Sequence, residues 1–94
     1  MKQYCVYIIT NNNNTALYIG VTSNLQKRIW EHRNKITKGF TKKYNCEKLV
    51  YFEQTENVYS ALNREKQLKN WHRQWKIDLI SKNNPEWKDL FEEL

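Results

Sequence analysis

Three side chains stand where apolar ones would be expected. Turning about 100° per residue, the segment from Leu25 to Ile36 places Leu25, Ile29 and Ile36 on one stripe. His32 falls in the middle of that stripe and Arg28 on its edge, one turn earlier. The segment from Val58 to Asn70 repeats the pattern with the opposite charge: Val58, Ala61, Leu62 and Leu68 define the stripe, and Glu65 lies within it. An inward carboxylate without a partner is strongly unfavourable, so Glu65 must meet a cation, either a metal ion or a guanidinium such as Arg28. Titratable groups gathered in this way mark a site more often than a core built for stability. A purely structural account stands beside that one: a satisfied core His32, a snorkelling Arg28, and a Glu65 to Arg28 ion pair that sets register. Tyr7 and Tyr18, on the two strands of a hairpin, are ordinary strand aromatics or further members of the same cluster.

Other chemistries find little support. Only Gly20 and Gly39 are present, so neither a G-x-G-x-x-G turn nor a phosphate loop of the G-x-x-x-x-G-K-[ST] kind can be written. Cys5 and Cys46 have no evident base partner, no G-x-S-x-G element exists, and the thiols are too few for a four-ligand zinc site. Both cysteines are expected to be free and buried. The apolar stretch from Cys5 to Ile9 is too short for a membrane span or a signal-peptide core, so a cytoplasmic protein is expected.

The elements that must position these residues follow from composition and period. The 94 residues suffice for one domain with a modest core. A mean hydropathy of -0.94 would suit disorder, but four Trp, six Tyr and three Phe supply the apolar surface a disordered chain lacks. Tyr4 to Thr10 and Ala16 to Val21, separated by Asn11 to Asn14, read as a β-hairpin. A first helix is expected over about 24–36, capped by Thr22 or Ser23. A basic loop over 37–48, a third strand over 48–55 and a second helix over 58–70 follow. Trp71, Trp75, Leu79 and Ile80 recur at helical spacing. Asn84-Pro85-Glu86 then has the form of a helix start, ahead of an apolar face of Trp87, Leu90, Phe91 and Leu94. The expected fold is α+β: a small three-stranded antiparallel sheet flanked by helices in the order β-β-α-β-α-α-α.

Taken together, Cys5-Val6-Tyr7, Tyr18-Ile19-Gly20, Arg28, His32 and Glu65 resemble the GIY-YIG endonuclease domain. The resemblance covers about 4–71, leaves 72–94 as a helical extension of a single domain, and is nearest to the small stand-alone bacterial branch, in which segments like Phe40-Thr41-Lys42-Lys43-Tyr44 and Arg64-Glu65-Lys66-Gln67 are typical. This sequence departs from the pattern at Cys5-Val6, which replaces Gly-Ile. A Lys found in some relatives is Val21 here, and a terminal Asn has no counterpart.

The resemblance implies a metal-dependent endonuclease acting on DNA. Glu65 would hold one Mg2+ or Mn2+, Arg28 the scissile phosphate, and Tyr7 and Tyr18 the attacking water, with His32 accepting a proton from the base, for which Tyr7 is the better candidate. The net charge of +6, with 16 Lys and Arg against 10 Asp and Glu, suits a polyanion. Lys38, Phe40, Lys42, Lys43 and Tyr44 form the expected nucleic-acid-binding segment, and Arg64, Lys66, Lys69, Arg73 and Lys76 could extend it. Branched or damaged DNA, in repair or recombination, is the expected substrate. A catalytically weak nucleic-acid-binding module and a protein-interaction domain using the Trp-rich region are the alternatives.

Overall fold

The structure, a computed structural model, describes residues 2–94. Strands β1 (Tyr4–Thr10) and β2 (Leu17–Thr22) form the hairpin. Helices α1 (Leu25–Arg33) and α2 (Phe40–Lys43) lead to β3 (Lys48–Thr55), which pairs antiparallel with the other side of β1, giving the order β2-β1-β3. Helices α3 (Val58–Asn70) and α4 (Arg73–Asn83) and a 3-10 turn at Leu90–Glu93 complete the chain. The α+β class and the three-stranded antiparallel sheet are as expected from the sequence.

The central strand is covered on both faces, which is why every residue from Cys5 to Thr10 is buried instead of alternating. Cys5, Tyr7 and Ile9 pack with Leu25, Ile29, Cys46 and Leu49. Val6 and Ile8 pack with Ile19, Val50, Ala61, Leu68 and Ile80 on the opposite side. Both cysteines are free and buried. The hairpin connection is closed by Asn11, whose side-chain oxygen accepts from the backbone N–H groups of Thr15 at 2.8 Å and Ala16 at 3.1 Å.

Six expectations from the sequence are corrected by the structure. The cap of α1 is Asn24, whose side chain accepts from the Lys27 backbone at 3.2 Å, while Thr22 supports Asn24 instead. The helix stops at Arg33, three residues early, because Lys35 adopts φ 56° and the Ile36 N–H turns back to the Glu31 carbonyl, a left-handed stop that leaves Ile36 56% exposed. Within the expected loop, Gly39 at φ 101° starts α2. Asn84 does not open a helix. Its buried amide donates to the carbonyls of Val50 and Lys88 and accepts from the Lys88 N–H, ending α4 and tying the following turn to β3. The apolar face expected beyond it is divided, with Leu90 and Phe91 packed on the α1 side of the sheet and Trp87 on the other. Leu62, placed on the α3 stripe by spacing, is exposed.

Gly20 explains how Tyr7 fits. The two residues are partners across the β1–β2 ladder, and a Cβ on Gly20 would come within 2.4 Å of the Tyr7 ring carbon Cζ and hydroxyl oxygen. Gly20→Ala should therefore displace the Tyr7 ring and destabilise by about 1–3 kcal/mol, as overpacking does, lowering Tm by about 4–8 °C per kcal/mol in a domain of this size. Thermal unfolding measured by circular dichroism checks this, and a variant melting with the wild type would show that the close approach carries no constraint.

Candidate active site

The site is assembled around the ring of Tyr7. Its position on the middle strand buries it, and its hydroxyl meets His32 Nε2 of α1 at 2.9 Å. His32 is itself buried, and its Nδ1 lies 3.2 Å from the Thr41 Oγ1 of α2. Tyr18, from the neighbouring strand, closes the cluster, with ring centroids 6.5 Å from Tyr7 and 5.7 Å from His32. With the Tyr7 O–H donating to Nε2, the Nδ1–H donates to Thr41, so one neutral tautomer satisfies the whole chain.

The electrostatics hold that arrangement in place. Burial pushes the Tyr7 phenol far above its ordinary range, helped by Tyr18, Glu65 and Glu31 and opposed by Arg28. Burial likewise holds the His32 imidazole below its usual value, reinforced by Arg28 and opposed by Glu31. Both groups are therefore neutral at neutral pH, and the tautomer with its proton on Nδ1 leaves Nε2 free to accept from Tyr7. Such a pair acts as a relay: the phenolic oxygen can accept a proton from a bound molecule as its own proton passes to the imidazole.

Arg28 and Glu65 flank the relay without pairing with each other, so the ion pair that the purely structural account required is not formed. The Arg28 guanidinium, with its side chain 41% exposed, lies 3.7 Å from Glu31 on the same helix. The Glu65 carboxylate, 19% exposed, meets Lys69 one turn on at 3.4 Å. Glu65 is thus inward-facing enough to feel Tyr7, yet open enough at its tip to exchange partners. Among the described residues no group of three or more His, Cys, Asp or Glu converges on a metal position. A lone carboxylate still fits a hard ion that keeps most of its waters and takes further oxygens from a phosphate.

Beside the relay stands the basic segment. Lys38, Phe40, Lys42, Lys43 and Tyr44 are all exposed. Phe40 and Tyr44 have ring centroids 4.6 Å apart, and Phe40 lies 6.3 Å from Tyr18, so α2 borders the cluster directly. Arg64 does not extend this surface. It grips Glu53 of β3 through Nε and Nη2 at 2.9–3.1 Å and lies over the Trp71 ring. Arg73 is similarly engaged with the Thr15 carbonyl, at 2.7 Å. Two residues of the cluster escaped the sequence reading. Thr41 had no signal beyond its place between Phe40 and Lys42, since a lone threonine in a basic segment carries none. Glu31 could have been found from its spacing of three from Arg28 and its place next to His32.

A family model described as the GIY-YIG catalytic domain matches residues 3–78. The chain belongs to this family. It is 39% identical over 87 residues to a UPF0213 protein of Syntrophus aciditrophicus, covering 92% of this chain and 98% of that one. It is 42% identical over 76 residues to a UPF0213 protein of Clostridium perfringens, covering 81% of each. The solution NMR structure of a UPF0213 protein of Bacillus halodurans shares the fold, with a TM-score of 0.59 over 93% of this chain and 92% of that one, at 22% identity. GIY-YIG domains are nuclease domains, generally dependent on a divalent metal. The geometry gives the family's Tyr-Ile-Gly triplet a physical sense: Tyr18 faces the cluster, and Gly20 leaves room for Tyr7.

Thr41 offers a direct test of the relay. Thr41→Val leaves the buried Nδ1–H without an acceptor, which costs about 1–3 kcal/mol and frees the tautomer, whereas Thr41→Ser keeps the acceptor. Thermal unfolding and plasmid nicking measured on both should show loss of stability and rate for Val and near-complete recovery for Ser. Equal behaviour of the two would mean that the Thr41 hydroxyl does not position His32.

Proposed function

We propose that this protein is a divalent-metal-dependent endonuclease that hydrolyses DNA phosphodiester bonds, with Mg2+ or Mn2+ as its single ion. The observation that carries this reading is the buried hydrogen bond from Tyr7 to a neutral His32, flanked by one guanidinium and one carboxylate. Hydrolysis needs a base for water, a cation for the charge on the phosphoryl oxygens, and help for the departing oxygen. Tyr7 takes the proton of water while its own passes to Nε2. His32 leaves the step as an imidazolium, with Glu31 close enough to offset the nearby Arg28. Arg28 turns from Glu31 to grip the phosphate with its planar fork. Tyr18 orients the water from the open side of the cluster. Glu65, freed from Lys69, would hold the metal, which when bound would supply Lewis acidity to the phosphate oxygens and to the departing oxygen as its bond to phosphorus breaks.

The protonation states explain why a tyrosine can serve at neutral pH. A free phenolate would be scarce, and burial makes it scarcer here, but a concerted transfer through the hydroxyl never requires one to accumulate. The exposed cations of α2 give the sequence-independent grip on the backbone. Branched or damaged DNA, met in repair or recombination, is the substrate this open, basic surface suits. A second reading, a nucleic-acid-binding module with little activity, is favoured by one feature: Arg28 and Glu65 both already have partners in the free chain and must exchange them.

Glu65→Gln separates the two. Its partner, Lys69, is half exposed, and such surface pairs contribute at most about 1 kcal/mol, so folding and DNA binding should persist while metal-dependent nicking of supercoiled plasmid falls to background. A wild type that nicks no supercoiled, forked or single-stranded DNA with either ion would establish the binding-module reading instead.

A further inference from the structure

A slot of about 280 Å3 opens beside the cluster, between the start of β2, helix α2 and the α3–α4 pair, lined by Leu17, Tyr18, Ile19, Phe40, Lys69 and Lys76. Its two halves differ in chemistry. One half is flat and apolar: Leu17 with the rings of Tyr18 and Phe40, which lie within 25° of parallel. Phe40 is 44% exposed, held between the Tyr18 ring at 6.3 Å and the Tyr44 ring at 4.6 Å, so part of an aromatic surface is open to the slot. The other half is cationic. Lys69 shares its charge with Glu65, but Lys76 reaches only the Lys69 carbonyl, at 3.5 Å, and has no acidic partner among the described residues. Partial burial, and after it the Arg73 charge on the same helix, hold the Lys76 amine below its usual range. Cations gathered this way repel one another until an anion joins them.

A ligand that fits must be planar and apolar at one end and anionic at the other. We infer that the slot binds one unpaired nucleotide, its base lying against Phe40 and Tyr18 and its phosphate between Lys69 and Lys76. In a continuous duplex both faces of each base are covered by its neighbours, so Phe40 can reach a base face only where the strand is unpaired or distorted. Stacking on an aromatic side chain is substantial and tolerant of sequence, and the adjacent lysines can meet a backbone phosphate whatever base it carries. Tyr18 belongs to both the slot and the catalytic cluster, so the nucleotide held here is a neighbour of the bond being cut. That position rests on the nuclease reading above, whereas the slot's preference for an unstacked base does not. Unpaired nucleotides at forks, flaps and lesions thus become the feature that the protein reads.

The test measures base stacking separately from backbone attraction. Fluorescence anisotropy in EDTA, where no cleavage occurs, compares labelled dT12 with a twelve-unit abasic oligomer of equal charge. The wild type should prefer dT12 by about fivefold to a hundredfold, the range expected for one stacked base. Phe40→Leu keeps an apolar side chain without a flat face and should bring that ratio close to one, while Phe40→Trp should keep it. Lys76→Ala should weaken both oligomers alike and reduce the salt slope by about 0.7. Equal wild-type affinity for the two oligomers, binding of neither, or a ratio unmoved by Phe40→Leu overturns the proposal. A preserved ratio in a protein that never cleaves would remove the nuclease reading and leave the slot intact.

Discussion

A buried phenol hydrogen-bonded to a buried imidazole is the constraint on which the rest of this structure turns. Tyr7 can be buried only because its strand is the middle one of three and is covered on both faces. Its ring can lie flat across the neighbouring strand only because Gly20 has no side chain. His32 is brought to it by a helix that begins three residues after β2, and Thr41 fixes the far side of the imidazole from the short helix that also presents Phe40, Lys42 and Lys43. The basic, aromatic segment of α2 and the Tyr7–His32 hydrogen bond are therefore one mechanical unit.

The charged groups form an outer layer with a different character. Arg28 with Glu31 and Glu65 with Lys69 are short-range pairs within single helices, partly open to water. Such pairs are weak and readily exchanged, which suits the proposed exchange of partners for a phosphate and a metal. The structurally committed ion pair lies elsewhere, where Arg64 binds Glu53 with three hydrogen bonds and Tyr51 donates to the same carboxylate. There the Arg64 guanidinium holds the Glu53 carboxyl below its usual range, although burial acts the other way and more strongly than any single contact. On α3, Arg64 thus braces the sheet while Lys69 pairs with Glu65 beside the site.

Much of this was legible in the sequence because period reports burial. The three strands, α3 and the inward positions of His32 and Glu65 follow from it. What failed was governed by local backbone chemistry that period does not see. Lys35 in the left-handed region ended α1 before Ile36. Asn84 satisfied carbonyls of β3 and the next turn where a helix start was expected. The partners of charged side chains were also hidden: inward spacing said that Glu65 needs a cation but could not choose Lys69 over Arg28. Thr41 was invisible for a related reason, since its meaning comes wholly from His32, nine residues away, folding back onto it.

The proposed proton relay depends most directly on the tautomer of one histidine. Long-range 1H–15N correlation NMR of the metal-free protein at pH 7 reads both ring nitrogens of His32. A relay built as described requires a neutral ring with the proton on Nδ1 and an unprotonated Nε2 accepting from Tyr7, a state that persists below pH 6.5 because burial opposes the imidazolium. A proton on Nε2, or an imidazolium at pH 7, would contradict it.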